Sequence, residues 1–288
     1  MPRLRRDWIS LLPGKTGQVS SLQAKKHMSS SHIVFLMYHE LDVAGRKLCQ
    51  SEPGYLRYIL PLEIFRRQMA WIKESGMRGL NVGEAVRYPA EPSVCITFDD
   101  GCETDVIAAA PMLREFGFSA TFFLTAGFLG TRGYLSASQV RDLDAQGFQI
   151  GCHSMTHPYL SDLTEPELKR EVVDAKVQIE NIVGHPIEHL SCPGGRYDQR
   201  TLEMARHAGF RTVANSEFYA NSSRTSPYEL GRVAMLRDLT IEEFAATCHG
   251  RGLWQKRLQH RARRSAQRLL GNHAYDRLRA VMLGEPRK

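Results

Sequence analysis

No stretch of this 288-residue chain reaches the roughly 18 consecutive apolar residues that a membrane-crossing helix requires, so no transmembrane helix is expected. Near the start, Trp8-Ile9-Ser10-Leu11-Leu12-Pro13 is too short for the hydrophobic region of a secretory signal. None of the six cysteines (Cys49, Cys95, Cys102, Cys152, Cys192 and Cys248) forms a Cys-x-x-Cys pair, which removes the cysteine-paired zinc and redox signatures. They read instead as small buried apolar residues of strands, not as metal ligands. With no export signal, reduced thiols and a cytoplasmic location are the expectation. No internal repeat and no low-complexity tract is visible, so repeat architectures are set aside.

Charge is present but unevenly placed. The formal net charge is +7. Between Arg251 and Lys288 eleven Lys and Arg stand against Asp276 and Glu285 alone, so the rest of the chain is slightly acidic. That balance argues against nucleic acid as a partner of the core. Leu253, Trp254, Leu258, Leu269, Leu270, Leu278, Val281 and Met282 punctuate the basic residues, so residues 239–288 read as a basic amphipathic helical tail. Such a helix either makes peripheral contact with an anionic membrane surface, at the inner face for a cytoplasmic protein, or wraps the domain with its charges in water. Residues 1–31 read as a disordered basic N-terminus.

Between these ends, strand and helix patterns alternate. Residues 33–38, 92–98, 120–124, 148–152, 189–192 and 210–214 are short apolar runs rich in β-formers. Residues 229–235 are a candidate last strand. Helical stripes cover residues 61–75, 105–116, 136–146, 164–182 and 198–208, several closed by glycine. Ser136 reads as an N-cap, and Thr164 with Glu167 as a capping box. The alternation predicts an α/β fold with a parallel sheet, in one domain over residues 32–238.

Three strand ends carry polar groups that an apolar core does not need. The first is Thr97-Phe98-Asp99-Asp100-Gly101. Adjacent carboxylates repel unless a cation or a proton lies between them. A divalent metal meets that need, one Asp ligating and the other left as a proton acceptor; the plainer reading is a capped turn. The second is His153-Ser154-Met155-Thr156-His157, whose i, i+4 histidines on one helical turn would aim both imidazoles the same way. The third is Ser191-Cys192-Pro193-Gly194-Gly195-Arg196-Tyr197, whose glycines let a backbone amide approach a ligand.

In order and spacing these segments resemble the first three motifs of NodB-type polysaccharide deacetylases (carbohydrate esterase family 4), over roughly residues 33–235. The resemblance implies a distorted (β/α)7-type barrel. It also implies a permuted variant similar to the deacetylases of poly-N-acetylglucosamine, in which the strand bearing the catalytic histidine is moved to the N-terminus. Residues 33–38, ending at His39-Glu40, match that strand. Permutation is tolerated where terminal strands are neighbours.

The resemblance assigns the metal ligands to Asp100, His153 and His157, the general base to Asp99 and the general acid to His39. An oxyanion and substrate loop would span Pro193, Gly194, Gly195, Arg196 and Tyr197, with the Gly194 amide as the oxyanion donor. Arg211 is a further candidate for substrate contact. The implied cofactor is a divalent metal, zinc by its ligand set, with cobalt, nickel and iron compatible. The implied reaction is hydrolysis of an N-acetyl group on an amino sugar of a polysaccharide, oligosaccharide or lipid-linked glycan, releasing acetate. Alternatives are metal-dependent hydrolysis of O-acetyl esters or of small non-peptide C–N bonds, and a non-catalytic barrel binding glycan or membrane. Two departures stand out: Ser191 occupies the place of an arginine that orients the base in many family members, and the fourth motif is represented at most by Asn215, Ser216 or Phe218.

Overall fold

The apolar runs become strands because parallel strands are covered on both faces and tolerate few polar residues. In chain order they are β1 (Val34–Tyr38), β2 (Leu41–Asp42), β3 (Leu60–Pro61), β4 (Arg78–Leu80), β5 (Ser93–Phe98), β6 (Thr121–Leu124), β7 (Gln149–Cys152), β8 (His189–Ser191), β9 (Thr212–Ala214) and β10 (Val233–Ala234). All of β1, β5, β6, β8 and β9 is buried. The computed structural model describes residues 32–50, 52–255 and 257–258. The basic N-terminus expected at residues 1–31, and the tail beyond residue 258, lie outside the described residues.

Eight strands form one sheet in the order β10-β1-β5-β6-β7-β8-β9, with β4 added beside β5, and its pairs are parallel. A parallel bridge from Ala214 to Leu230 draws the β9 end toward the segment entering β10, so the sheet curls toward closure. The expected distorted seven-stranded barrel is therefore the main path of the sheet. The first strand sits centrally: β1 lies between β10 and β5, with Tyr38 paired to Phe98. This register sets His39 alongside Asp99 at the carboxyl edge, the edge where ligands bind in such sheets.

Helices connect the strands and begin where their N-caps direct. Both expected caps are present: Ser136 forms a capping box with Gln139, and Thr164 with Glu167. Inside the sheet layer, Tyr38, Phe98 and Phe122 stack at 5.1–5.2 Å, with Phe65 and Phe148 edge-on to them. The helix Ile241–Cys248, at the head of the expected basic tail, buries Phe244 against Trp71 with centroids 5.8 Å apart. Among the described residues no helix is long and apolar enough to cross a membrane.

Two helices depart from the regular pattern. The helix expected at residues 105–116 begins with a wide turn, Asp105–Ala109, in which the Ala110 amide reaches back five residues to Asp105. Pro111 has no N–H for the carbonyl four residues earlier, and the widened turn precedes it. The helix expected over residues 164–182 holds a similar turn at Arg170–Asp174. That turn carries Glu171, which is 5% exposed.

Candidate active site

The site is assembled from the loops that leave β1, β5, β7, β8 and β9, joined by the residue preceding β10. Asp99 and Asp100 follow β5 and are each 2% exposed. Asp100 has φ +78°, a left-handed conformation that is costly outside glycine and common at functional sites. His153 Nε2 lies 3.6 Å, and His157 Nε2 3.4 Å, from the same oxygen, Asp100 Oδ1. That buried oxygen has no hydrogen-bond partner. Donor atoms of the three residues all lie within 4.8 Å of one another.

The tautomer of His153 follows from its other nitrogen. Nδ1 is 2.9 Å from the Ser191 carbonyl, which only accepts, so Nδ1 carries the hydrogen and Nε2 keeps its lone pair. Burial pushes the His153 imidazole down to about 4, against the pull of nearby Asp99, so it is neutral at ordinary pH. An unpartnered carboxylate oxygen facing a neutral imidazole lone pair calls for a cation between them. Asp100, His153 and His157 therefore fit a divalent metal by chemistry as well as position.

The histidine pair meets for a different reason from the one its spacing suggests. Residues 153–157 form no helical turn. They form a tight loop in which Ser154 and His157 take φ +69° and +65°. Glu171 holds it: its Oε2 accepts from the Met155 and Thr156 amides at 2.9 and 2.7 Å, and its Oε1 from Thr156 Oγ1 at 2.7 Å. Helical periodicity at residues 164–182 gives no hint that Glu171 turns inward.

Asp99 is partnered by a residue that sequence reading missed. Arg232, 0% exposed, donates Nη1 to Asp99 Oδ1 at 2.7 Å and Nη2 to Oδ2 at 2.8 Å. The same guanidinium donates to Ser191 Oγ at 2.6 Å, Thr97 Oγ1 at 3.2 Å and the Asn215 carbonyl at 3.2 Å. An arginine thus reaches Asp99 beside Ser191, from the chain entering β10. The available signal was one arginine inside the apolar run Leu230–Met235. Burial alone would raise the Asp99 carboxyl; Arg232, then His153 and His39, more than offset it and hold the group well below the usual carboxylate range.

His39 packs on Tyr58 at 4.9 Å and edge-on to Tyr55 at 6.4 Å. Burial lowers its basicity, while Asp100 and Asp99 act in the opposite sense. In the loop after β8, Gly194 and Gly195 take φ +58° and +66°. A Cβ at Gly194 would fall 2.8 Å from the Tyr159 ring, and one at Gly195 2.6 Å from the Ser216 amide, so the loop requires both glycines. Arg196 stacks over Tyr159 at 3.7 Å, and Tyr197 bonds to Glu229 at 3.3 Å. Arg211 is elsewhere: it precedes β9, at the opposite edge of the sheet, and pairs with Glu188 at 3.2 Å.

A curled parallel sheet thus carries an Asp/His/His donor set and a spare carboxylate at its carboxyl edge, an arrangement that fits a divalent metal. Residues 87–213 match the family model described as polysaccharide deacetylase. The Bacillus subtilis (strain 168) protein YxkH is 29% identical over 217 residues, 73% of this chain and 74% of that one. A peptidoglycan-N-acetylglucosamine deacetylase of Bacillus cereus is 32% identical over 124 residues, 43% of this chain and 56% of that one. Among solved structures, the Streptococcus pyogenes deacetylase PplD in complex with acetate superposes with a TM-score of 0.66 at 23% identity, covering 75% of this chain and 98% of that one. Residues 87–213 therefore carry a polysaccharide deacetylase domain. The matched window begins after β1, yet the sheet seats β1 and His39 directly beside β5.

Proposed function

We propose that this protein is a metal-dependent N-deacetylase that hydrolyses the N-acetyl group of an amino sugar in a glycan and releases acetate. The observation that carries the reading is the division of labour between neighbouring carboxylates. Asp100 faces two imidazoles with an unpartnered oxygen, while Asp99 is held ionised in a two-pronged grip by Arg232. The Bacillus cereus relative named for the deacetylation of N-acetylglucosamine in peptidoglycan supports the substrate class.

Asp100, His153 and His157 would hold the ion, best suited to zinc, with cobalt, nickel or iron compatible with the same donors. When bound, it would supply Lewis-acid polarisation of the acetyl carbonyl and ready deprotonation of water. Asp99 takes the proton of the attacking water, and Arg232 holds both of its oxygens in place. His39 gives a proton to the departing amine nitrogen, and its burial, by lowering its basicity, makes that transfer easier. The Gly194 amide steadies the developing oxyanion, and Arg196 and Tyr197 flank the sugar.

The test pairs elemental analysis with acetate release from N-acetylglucosamine oligomers. Asp99→Asn is expected to keep its metal and lose turnover. If that variant, fully loaded, matched the wild type, the assignment of the base would be wrong. The basic stretch between Arg251 and Lys288 is proposed to bring the enzyme to anionic membranes. Sedimentation with anionic vesicles should fall when that stretch is removed, and equal binding with and without it discards the idea.

A further inference from the structure

A second group of metal-type donors lies beside the proposed deacetylase centre and shares no residue with it. Glu40, Cys49 and Cys102 each offer one donor atom, all within 4.8 Å of one another. Glu40 and Cys102 are 2% and 0% exposed, and Cys49 is half-buried. They come from separate segments: Glu40 from the end of β1, Cys49 from the loop that follows β2, Cys102 from the turn after Asp100 and Gly101. The Cys49 amide donates to both Glu40 oxygens, at 2.9 and 3.1 Å, and the Cys49 thiol to the Gly133 carbonyl at 3.0 Å. Cys49 and Cys102 are not the strand-filling cysteines that the sequence suggested, unlike Cys95 and Cys152 within β5 and β7.

The independent observation is Asp105. It is 0% exposed, and it is the one carboxylate among the described residues with both oxygens buried and without a hydrogen-bond partner. Its backbone amide donates to the Cys102 carbonyl at 3.0 Å, which places the residue next to the cluster, and burial, followed by Cys49, Asp100 and Glu40, pushes its carboxyl well above the usual range. Buried polar atoms are normally satisfied, and a buried carboxylate without a partner is costly. The nearby Arg46 is engaged with Glu103.

We propose that Glu40, Cys49 and Cys102, with the unpartnered Asp105 adjoining them, form a second metal site for a borderline-soft divalent cation of the zinc class. Mixed sulfur and carboxylate donors suit such an ion and not magnesium or calcium. Zinc–sulfur bonds of about 2.3 Å give tetrahedral edges of about 3.8 Å, so no pair of these donors, all within 4.8 Å of one another, has to close by more than about 1 Å. On binding, both thiols release their protons to solvent. The ion braces the catalytic segments: Glu40 adjoins His39, and Cys102 follows the strained Asp100. Tyr55 connects the two clusters, its hydroxyl 3.4 Å from Asp100 Oδ2 and 3.7 Å from Cys102 Sγ.

Cobalt titration of chelator-stripped full-length protein, kept reduced with a phosphine, separates the two sites. Thiolate on Co2+ gives an intense near-ultraviolet charge-transfer band, which carboxylate and imidazole donors do not. The wild type is expected to take up two equivalents and show the band. Cys49→Ser, whose hydroxyl can replace the thiol as donor to the Gly133 carbonyl, should lose the band and one equivalent; Glu40→Gln should weaken the same step. His157→Ala should lose one equivalent and keep the band, so failure of the deacetylase reading is distinguishable from failure of this one. A wild type without the band, a band unchanged in Cys49→Ser, or a Cys49–Cys102 disulfide in the protein as isolated overturns the proposal.

Discussion

Arg232→Met removes the guanidinium that grips the proposed base. The side chain is fully buried and makes both contacts to Asp99, at 2.7 and 2.8 Å. Breaking a buried pair by removing one partner costs about 3–5 kcal/mol, because the other charge is left unpaired. The unpaired group relieves itself by taking up a proton. Burial is the largest influence on Asp99 and acts upward; only the cationic groups, Arg232 foremost, keep the carboxyl low. In the variant the carboxyl therefore moves from below to above the usual carboxylate range. A base works only when deprotonated, so the acid limb of the kcat/KM profile should shift to higher pH. Activity at neutral pH should fall by about 10²–10⁴, the range for a lost general base. Acetate release across a pH series, with thermal unfolding to register folding, measures both effects. Adding Ser191→Arg to Arg232→Met should restore part of the activity, because Ser191 Oγ already lies 3.4 Å from Asp99 Oδ2 and 2.6 Å from the guanidinium. A folded Arg232→Met enzyme with the wild-type acid limb would refute the reasoning.

Glu171→Ala should loosen the 153–157 loop and weaken metal affinity by about 10–100-fold, as loss of such supporting contacts usually does; competition with a chelator reads this out. Gly195→Ala should cost activity and stability together, since its Cβ would meet the Ser216 amide at 2.6 Å with φ at +66°. Thermal unfolding and acetate release should decline in parallel. Metal-free protein should lose stability as pH falls from about 6.5, the ordinary imidazole value. Burial keeps His153 and His189 neutral down to about 4, so between these values the unfolded chain binds more protons and folding is disfavoured. The full effect is about 3 kcal/mol per imidazole, visible in urea unfolding at pH 7 and 4.5. A flat response would mean that these imidazoles are protonated in the fold.

Local chemistry made much of this protein legible in its sequence. Apolar runs of strand length, glycine stops and the caps at Ser136 and Thr164 depend on neighbours within a few residues, and they appear as read. So do the strand-end positions of Asp99, Asp100, His153 and the glycine loop, because a polar group at the end of a buried run has only the sheet edge to occupy. Tertiary structure decided what depends on distant segments meeting. Arg232 reaches Asp99 across 133 residues, and Ser191 from 92 residues away, because β10, β1, β5 and β8 are brought around one curled sheet. The histidines converge through a strained loop tied to Glu171, not through helical spacing, and Cys49 meets Cys102 only once the loop after β2 folds over the end of β5. Periodicity records which face of an element is buried; it carries no information on which buried ends will share one low-dielectric pocket, and that sharing sets the charges on which the chemistry depends.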